Sequence, residues 1–296
     1  MKRAITLSAI ALFLTAASIW MGRVSYSWFP PQASAEAILY DDLFSILTAI
    51  GTFIFLGVTL AIFYNIIFYR AGRYDTSDGP PIEGNIRLEI LWTVTPLLMV
   101  IGLATASYQT YDKMNLHGPT EIASLPQVME SAYADTGITA EPTTNIEVDS
   151  KQWAWVFRYP EKNVTSTELH LPVNQRAHFE LRSQDVIHGF YIPAFRVKQD
   201  IIPAKTIDFE FTPILEGKYR LRDSQYSGTY FAAMQADVVV ESPESYQTWL
   251  NEAAKQTPTP APNQAASEYA RREQKEDSAG WKTVVPAPPP MVNYHP

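Results

Sequence analysis

The sequence predicts a membrane-anchored all-β protein: a transmembrane helical hairpin, preceded by one more apolar segment and followed by a Greek-key β-barrel. Three observations predict it. Leu43–Tyr69 and Ile90–Tyr111 contain no charged residue, and each exceeds the roughly 20 residues needed to cross a bilayer core. From Asn145 the texture changes to short alternating runs rich in β-branched and aromatic residues, the pattern of half-buried strands. With 46% hydrophobic residues in 296, the chain has enough apolar mass for both parts.

At the N-terminus, Lys2 and Arg3 precede an uncharged run from Ala4 to Gly22 that ends at Arg23. Residues 1–23 therefore read as a signal peptide or as a first transmembrane helix. A small-x-small cleavage site is poorly formed after Trp20-Met21-Gly22, which favours retention, although Ala33-Ser34-Ala35 further on would serve. The hairpin occupies 41–111. Its link, Arg70–Glu89, carries Arg70, Arg73 and Arg87. Positive charge beside the spans places that link in the cytoplasm and everything after Asp112 on the outer side.

The connector 112–144 is polar, with Gly118, Pro119 and Pro126 interrupting any long helix. Strands are expected in IEVDSKQWAWVFRY, Thr165–Leu171, Arg176–Arg182, Thr206–Thr212, Lys218–Leu221 and Ala236–Glu241. Short strands at this spacing make a Greek-key sandwich or barrel of about 100 residues, here 145–254. Ser242 and Pro243 open a closing helix as N-cap and first-turn residue. The Pro/Ala-rich tail 255–296 is poor in large apolar side chains and is expected to be disordered.

Composition removes several classes. A net charge of −8 and a pI near 5.2 argue against nucleic acid as a partner. Cys 0 excludes disulfides, cysteine metal sites, thiol catalysis and a lipid-modified cysteine anchor. Gly-rich phosphate loops and Ser/His/Asp arrangements are absent from the sequence.

The most informative stretches are VIHGFYIPAFRVKQD (Val186–Asp200) and RDSQYSGTYFAAM (Arg222–Met234). Together with RLEILWTVTPLLMV, QWAWVFRYP and SPESYQTWL, in that family's order, they resemble subunit II of haem–copper oxidases from about Asp41 to Leu250. The resemblance implies a cupredoxin-like β-barrel outside the membrane and a hairpin packed on subunit I. In that family a loop Cys-x-Glu-x-Cys-x3-His-x2-Met, with an upstream His, holds the dinuclear copper centre CuA. On that pattern Asp223 and Ser227 stand at the two thiolate positions, Gln225 replaces the Glu and Phe231 replaces the loop His. His188 and Met234 alone match. Soft thiolate bridges are what hold two copper ions together, and hard oxygens do not replace them. No metal is therefore expected in this chain.

CuA is the family's entry port for cytochrome c electrons, so members without it are similar to quinol oxidases. Among those, the chain most resembles the alternative respiratory terminal oxidases of cyanobacteria. The resemblance implies a non-catalytic subunit II of a proton-pumping quinol:oxygen oxidase, with haems and CuB in subunit I. Subunit I, subunit III, membrane lipids and, through subunit I, membrane quinol are the implied partners. The implied location is a prokaryotic energy-transducing membrane, with several passes and the C-terminal domain on the periplasmic side. Two alternatives stay open: the same complex fed by cytochrome c directly at subunit I, and a membrane-anchored copper-binding or assembly protein.

Glu89, at the cytoplasmic end of the second span, matches a family Glu near the mouth of a proton channel. A carboxylate at a membrane boundary can collect and pass on protons; the alternative is an ordinary helix-end charge. His188 and Met234 could instead be a hydrogen-bonded His and a core Met, with Phe231 filling space. Gln225 puts the family's nearby magnesium site in doubt. Trp153 matches an electron-relay Trp, but without CuA that relay has no destination, so Trp153 and Trp155 are expected to be apolar strand residues. His117, His170, His178 and His295 have no partner at metal-ligand spacing.

Overall fold

The computed structural model describes residues 1–70, 72, 74, 81, 83–114, 144–274 and 283–296. Three long helices come first: α1 (Lys2–Ser25), α2 (Ala35–Phe68) and α3 (Ile86–Met114). All three are long and apolar enough to cross a membrane. At 34 residues, α2 is about 50 Å long against a hydrocarbon core of about 30 Å. Its opening turn therefore has length to spare for other contacts.

Two compact units divide the chain. One comprises Met1–Phe29 and Tyr40–Asp112, the other Pro30–Leu39 and Lys113–Pro296. In the helical unit α1 lies against α2 at Gly22, whose carbonyl accepts the Ser45 hydroxyl at 2.8 Å. A Cβ at Gly22 would stand 2.9 Å from the Ser45 carbonyl, so only glycine permits this approach. Asn85 caps α3, its side-chain oxygen accepting from the amide of Arg87 at 3.1 Å. The α3 helix runs through Asp112 to Met114. The rest of the connector expected over 112–144, with His117, lies outside the described residues up to Thr144.

The second unit is a sandwich of two five-stranded sheets. The strands are β1 (Thr144–Lys151), β2 (Ala154–Tyr159), β3 (Val164–Ser166), β4 (Leu169–Pro172), β5 (Ala177–Ser183), β6 (His188–Ile192), β7 (Val197–Ile201), β8 (Thr206–Phe211), β9 (Gly217–Asp223) and β10 (Gln235–Glu241). One sheet has the order β3-β2-β1-β5-β8 and the other β4-β10-β9-β6-β7. The parallel pairs β1–β5 and β4–β10, with every other pairing antiparallel, give a crossed, Greek-key connectivity. Alternation fills the core: Ile146 and Val148, Trp155 and Phe157, Phe179 and Leu181, Phe209 and Phe211, Val238 and Val240 all point inward. Each such large side chain contributes about 1.5–3 kcal/mol by burial. Beyond the strands expected from alternation, β6 and β7 form from the stretch that begins at Val186.

Residues 30–39 are woven into this sandwich. Ala33 donates to the Ala194 carbonyl and Ala35 to that of Thr212, both at 3.0 Å. The buried Glu36 carboxylate accepts the Thr212 amide at 3.2 Å and lies 3.6 Å from Arg176, which pairs more closely with Glu210.

The helix α4 (Pro243–Ala253) has Ser242 at its N-cap, accepting from the Ser245 amide. The tail corrects the expectation of disorder over 255–296. It forms β11 (Thr259–Pro260), α5 (Gln264–Glu273) and β12 (Met291–Val292), and β11 pairs with β12. Small residues do what large ones were expected to do. Ala261, Ala265 and Val292 are fully buried, and Tyr269 and Tyr294 lean on the core. Asn263 caps α5 by accepting from the Ala266 amide. Residues 275–282 of the expected tail lie outside the described residues.

Candidate functional site

The segments singled out by sequence meet at one end of the sandwich. β6 opens with His188 and pairs antiparallel with β9, Phe190 opposite Asp223. The loop from Ser224 returns to β10, closed at its base by the Asp223 amide donating to the Met234 carbonyl at 3.1 Å. This closure sets Asp223 beside His188.

Four donors converge on the Asp223 carboxylate. They are His188 Nδ1 at 2.8 Å, the Ser227 hydroxyl at 2.7 Å, and the amides of Gly189 at 2.7 Å and Gln225 at 3.1 Å. A carboxylate offers about four lone-pair sites, so this one is fully used. On the other side, His188 Nε2 lies 2.9 Å from Asp185, whose other oxygen accepts the Gln152 amide at 2.8 Å. The imidazole is completely buried. Burial pushes its pKa down, but the bonds to Asp223 and Asp185 outweigh that and the net shift is upward. Bracketed between two carboxylates, His188 has an acceptor facing each ring nitrogen, an arrangement that favours the doubly protonated form.

Of the residues predicted from sequence, the fold joins His188, Asp223 and Ser227 directly. Gln225 turns away, its side-chain amide donating to Asp200 at 2.7 Å. Phe231 is partly buried and meets Tyr226 edge-on at 5.3 Å. Met234 is buried in the core. Both tryptophans prop the loop: Trp153 Nε1 donates to the Ser227 carbonyl at 3.1 Å and Trp155 Nε1 to that of Met234 at 3.3 Å. Gly228, at φ +115°, lies so close to the Trp153 ring that a Cβ would stand 2.8 Å from it. Asp185 was missed by sequence reading. Its signal was an Asp three residues before a His at a strand entrance, which becomes informative only once the turn is known.

The groups in place do not fit a dinuclear copper centre. At the positions expected from the sequence, Asp223 and Ser227 offer oxygen rather than sulfur and Phe231 a phenyl ring, and both His188 nitrogens face carboxylates. Among the described residues no group of three or more His, Asp or Glu is arranged to hold a metal ion.

Comparison with known proteins identifies the helical and the sandwich part of the chain. Residues 20–110 match the family "Cytochrome C oxidase subunit II, transmembrane domain". Residues 163–242 match "Cytochrome C oxidase subunit II, periplasmic domain". Cytochrome c oxidase subunit 2 of Thermostichus vulcanus is 34% identical over 276 residues, covering 82% of this chain and 83% of that one. The chain belongs to the cytochrome c oxidase subunit II family. This subunit II is also 28% identical to quinol oxidase subunit 2 of Bacillus subtilis, over 72% of this chain and 63% of that one. The periplasmic domain of subunit II of cytochrome oxidase from Bradyrhizobium japonicum is 26% identical. It covers 39% of this chain and 96% of that one, with a TM-score of 0.38. The two family matches make the sandwich the periplasmic domain of a subunit II, cupredoxin-like in fold and attached to apolar membrane helices. As a member of this family, the chain is part of an oxidoreductase complex.

Glu89 stands in the first turn of α3. Its carboxylate folds back over Gly84, where a Cβ would stand 2.7 Å from Oε1. The helix N-terminus there favours negative charge.

Proposed function

We propose that this subunit II serves a proton-pumping respiratory terminal oxidase that reduces O2 with electrons from membrane quinol, and that it carries neither CuA nor another redox cofactor. The buried His188–Asp223 pair carries the reading. An imidazole that donates from both nitrogens has no lone pair to offer a metal, and the chain has no cysteine with which to bridge two coppers. Electrons then enter at subunit I, which holds the haems and CuB. This chain stabilises subunit I, seals its outer face and shapes the proton routes, with Glu89 at the cytoplasmic entry and subunit III as a further neighbour. Three passes, α1 to α3, anchor it in a prokaryotic energy-transducing membrane.

A second reading keeps the complex and replaces the donor by cytochrome c acting directly at subunit I. The 34% identity to a protein called cytochrome c oxidase subunit 2 favours it. Purified complex offered quinol and reduced cytochrome c in parallel separates the two. Oxygen uptake with quinol and none with cytochrome c supports the proposal, and the reverse overturns it. Metal analysis of the same complex should find only the copper of subunit I, and a mixed-valence copper absorption from this chain would refute the absence of CuA.

A further inference from the structure

The second buried histidine, His170 on β4, has no part in the loop site. Its imidazole stacks on Trp249 of α4 at 3.8 Å and 8°, and Tyr294 of the tail stands at right angles to it at 5.6 Å. Nδ1 lies 2.9 Å from Glu241 on β10 and Nε2 3.5 Å from Glu168 in the β3–β4 turn. Beneath it, the Tyr159 hydroxyl of β2 accepts from the His170 amide at 2.7 Å, and Tyr246 of α4 lies near Tyr159. Lys218 of β9 binds both Glu168 and Asp237, and Arg220 binds Asp237. An imidazolium held between carboxylates and flat against an indole gains both ion-pair and cation–π attraction.

Over this cluster runs the end of the tail. Tyr294 bridges to Ser166 on the open edge of β3. Its amide donates to the Thr165 carbonyl at 3.0 Å, and its carbonyl accepts the Thr167 amide at 3.3 Å. Asn293 accepts the Thr165 amide at 3.0 Å and donates to the Gln256 carbonyl at 2.7 Å. Together with the β11–β12 pairing, the Ala261 amide bond to the Pro290 carbonyl and the Ala287 amide bond to that of Gln152, these contacts hold a segment in which Tyr294 faces the imidazole and His295 lies beside Thr259.

We propose that residues 287–296 form a pH-dependent strap, docked over β3 and His170 while the imidazole is protonated and released when it is neutral. The charge balance supplies the reason. With His170 protonated, three cations (His170, Lys218, Arg220) face three carboxylates (Glu168, Glu241, Asp237). Loss of the proton leaves one carboxylate uncompensated beneath the strap, and covering an unpaired charge is costly. Lifting the strap lets water reach it.

The sign follows from the surroundings. Burial pulls the His170 pKa down, yet its bonds to Glu168 and Glu241 raise it above the ordinary value of 6.5. Docking is therefore favoured while His170 keeps its proton and weakens as pH rises through its raised value. The strap thus responds to the acidity of the compartment the domain faces.

Hydrogen–deuterium exchange on the full chain in detergent, corrected for intrinsic rates, tests this between about pH 6 and about pH 9. Peptides spanning 164–168 and 287–296 should lose about tenfold in protection as pH rises, while those of β1 and β5 hold theirs. His170→Gln cannot take the charge, so the transition should vanish. Glu241→Gln keeps the ring and removes one acceptor, so the midpoint should move to lower pH; this variant decides the matter if His170→Gln does not fold. Flat protection in the unmodified chain overturns the proposal. So does a transition with the same midpoint in the variant that folds.

Discussion

His188 and Asp223 form a fully buried pair, Nδ1 2.8 Å from the carboxylate, across adjacent strands of one sheet. On the loop alignment proposed from the sequence, this carboxylate stands where the family's pattern would have its first cysteine. Charge and hydrogen bonds join the two strands there.

That geometry defines a rebuilding experiment. Asp223→Cys, Gln225→Glu, Ser227→Cys and Phe231→His together should yield a coloured, dinuclear copper site. Replacing Asp223 frees His188 Nδ1, and Asp185 remains on Nε2 to orient the ring, as carboxylates behind metal-bound imidazoles do. Adding Asp185→Asn should weaken copper binding about tenfold or more. A folded quadruple variant that stays colourless with copper would show that the loop register is misread.

Asp223→Ala should be strongly destabilising, by about 3–5 kcal/mol, because it strands a buried imidazolium and two amides. Asp223→Asn should cost less, since the amide oxygen still accepts from Gly189. Denaturation midpoints of the full chain in detergent, compared with those of the single Ser227→Ala change, measure the difference.

The pair also sets a pH dependence. The folded-state pKa of His188 is raised, so its stabilisation is complete below the unfolded value of 6.5 and is lost as pH rises through the folded one. Thermal stability of the chain should fall on the alkaline side, and His188→Gln should flatten that part of the profile. An unchanged profile in the variant would assign the dependence to another group.

Gly228→Ala should cost about 1–3 kcal/mol, since it places a side chain at positive φ and against the Trp153 ring. Restoring space with Trp153→Phe should recover only part of the loss, because the backbone strain and the lost indole bond to Ser227 remain. Unfolding curves of the two variants and their combination give the coupling.

Glu89→Ala should slow turnover of the assembled oxidase by about tenfold, equivalent to ~1.4 kcal/mol of barrier, while haem content stays intact. Glu89→Asp should retain more activity, since proton exchange needs an ionisable group. Unchanged quinol oxidation by the Ala variant over a broad pH range would leave Glu89 as a helix-end charge alone.

How much of this was legible in the sequence varies by element. The membrane helices were, because an uncharged run longer than a bilayer leaves little alternative. So was the sandwich over 145–254, since alternation in segments such as TIDFEF puts Ile207, Phe209 and Phe211 on one face. The family was legible too, through spaced residues in family order.

What only the tertiary structure decided depends on contacts between distant residues. Gln225 turning to Asp200, Asp185 closing on His188, and Glu168 and Glu241 flanking His170 all pair groups brought together by strand order rather than by spacing. The tail shows the same limit. Its alanines and prolines lack the apolar area to pack alone, yet a formed β3 edge and the Trp249 face supply hydrogen bonds and cover that composition cannot reveal.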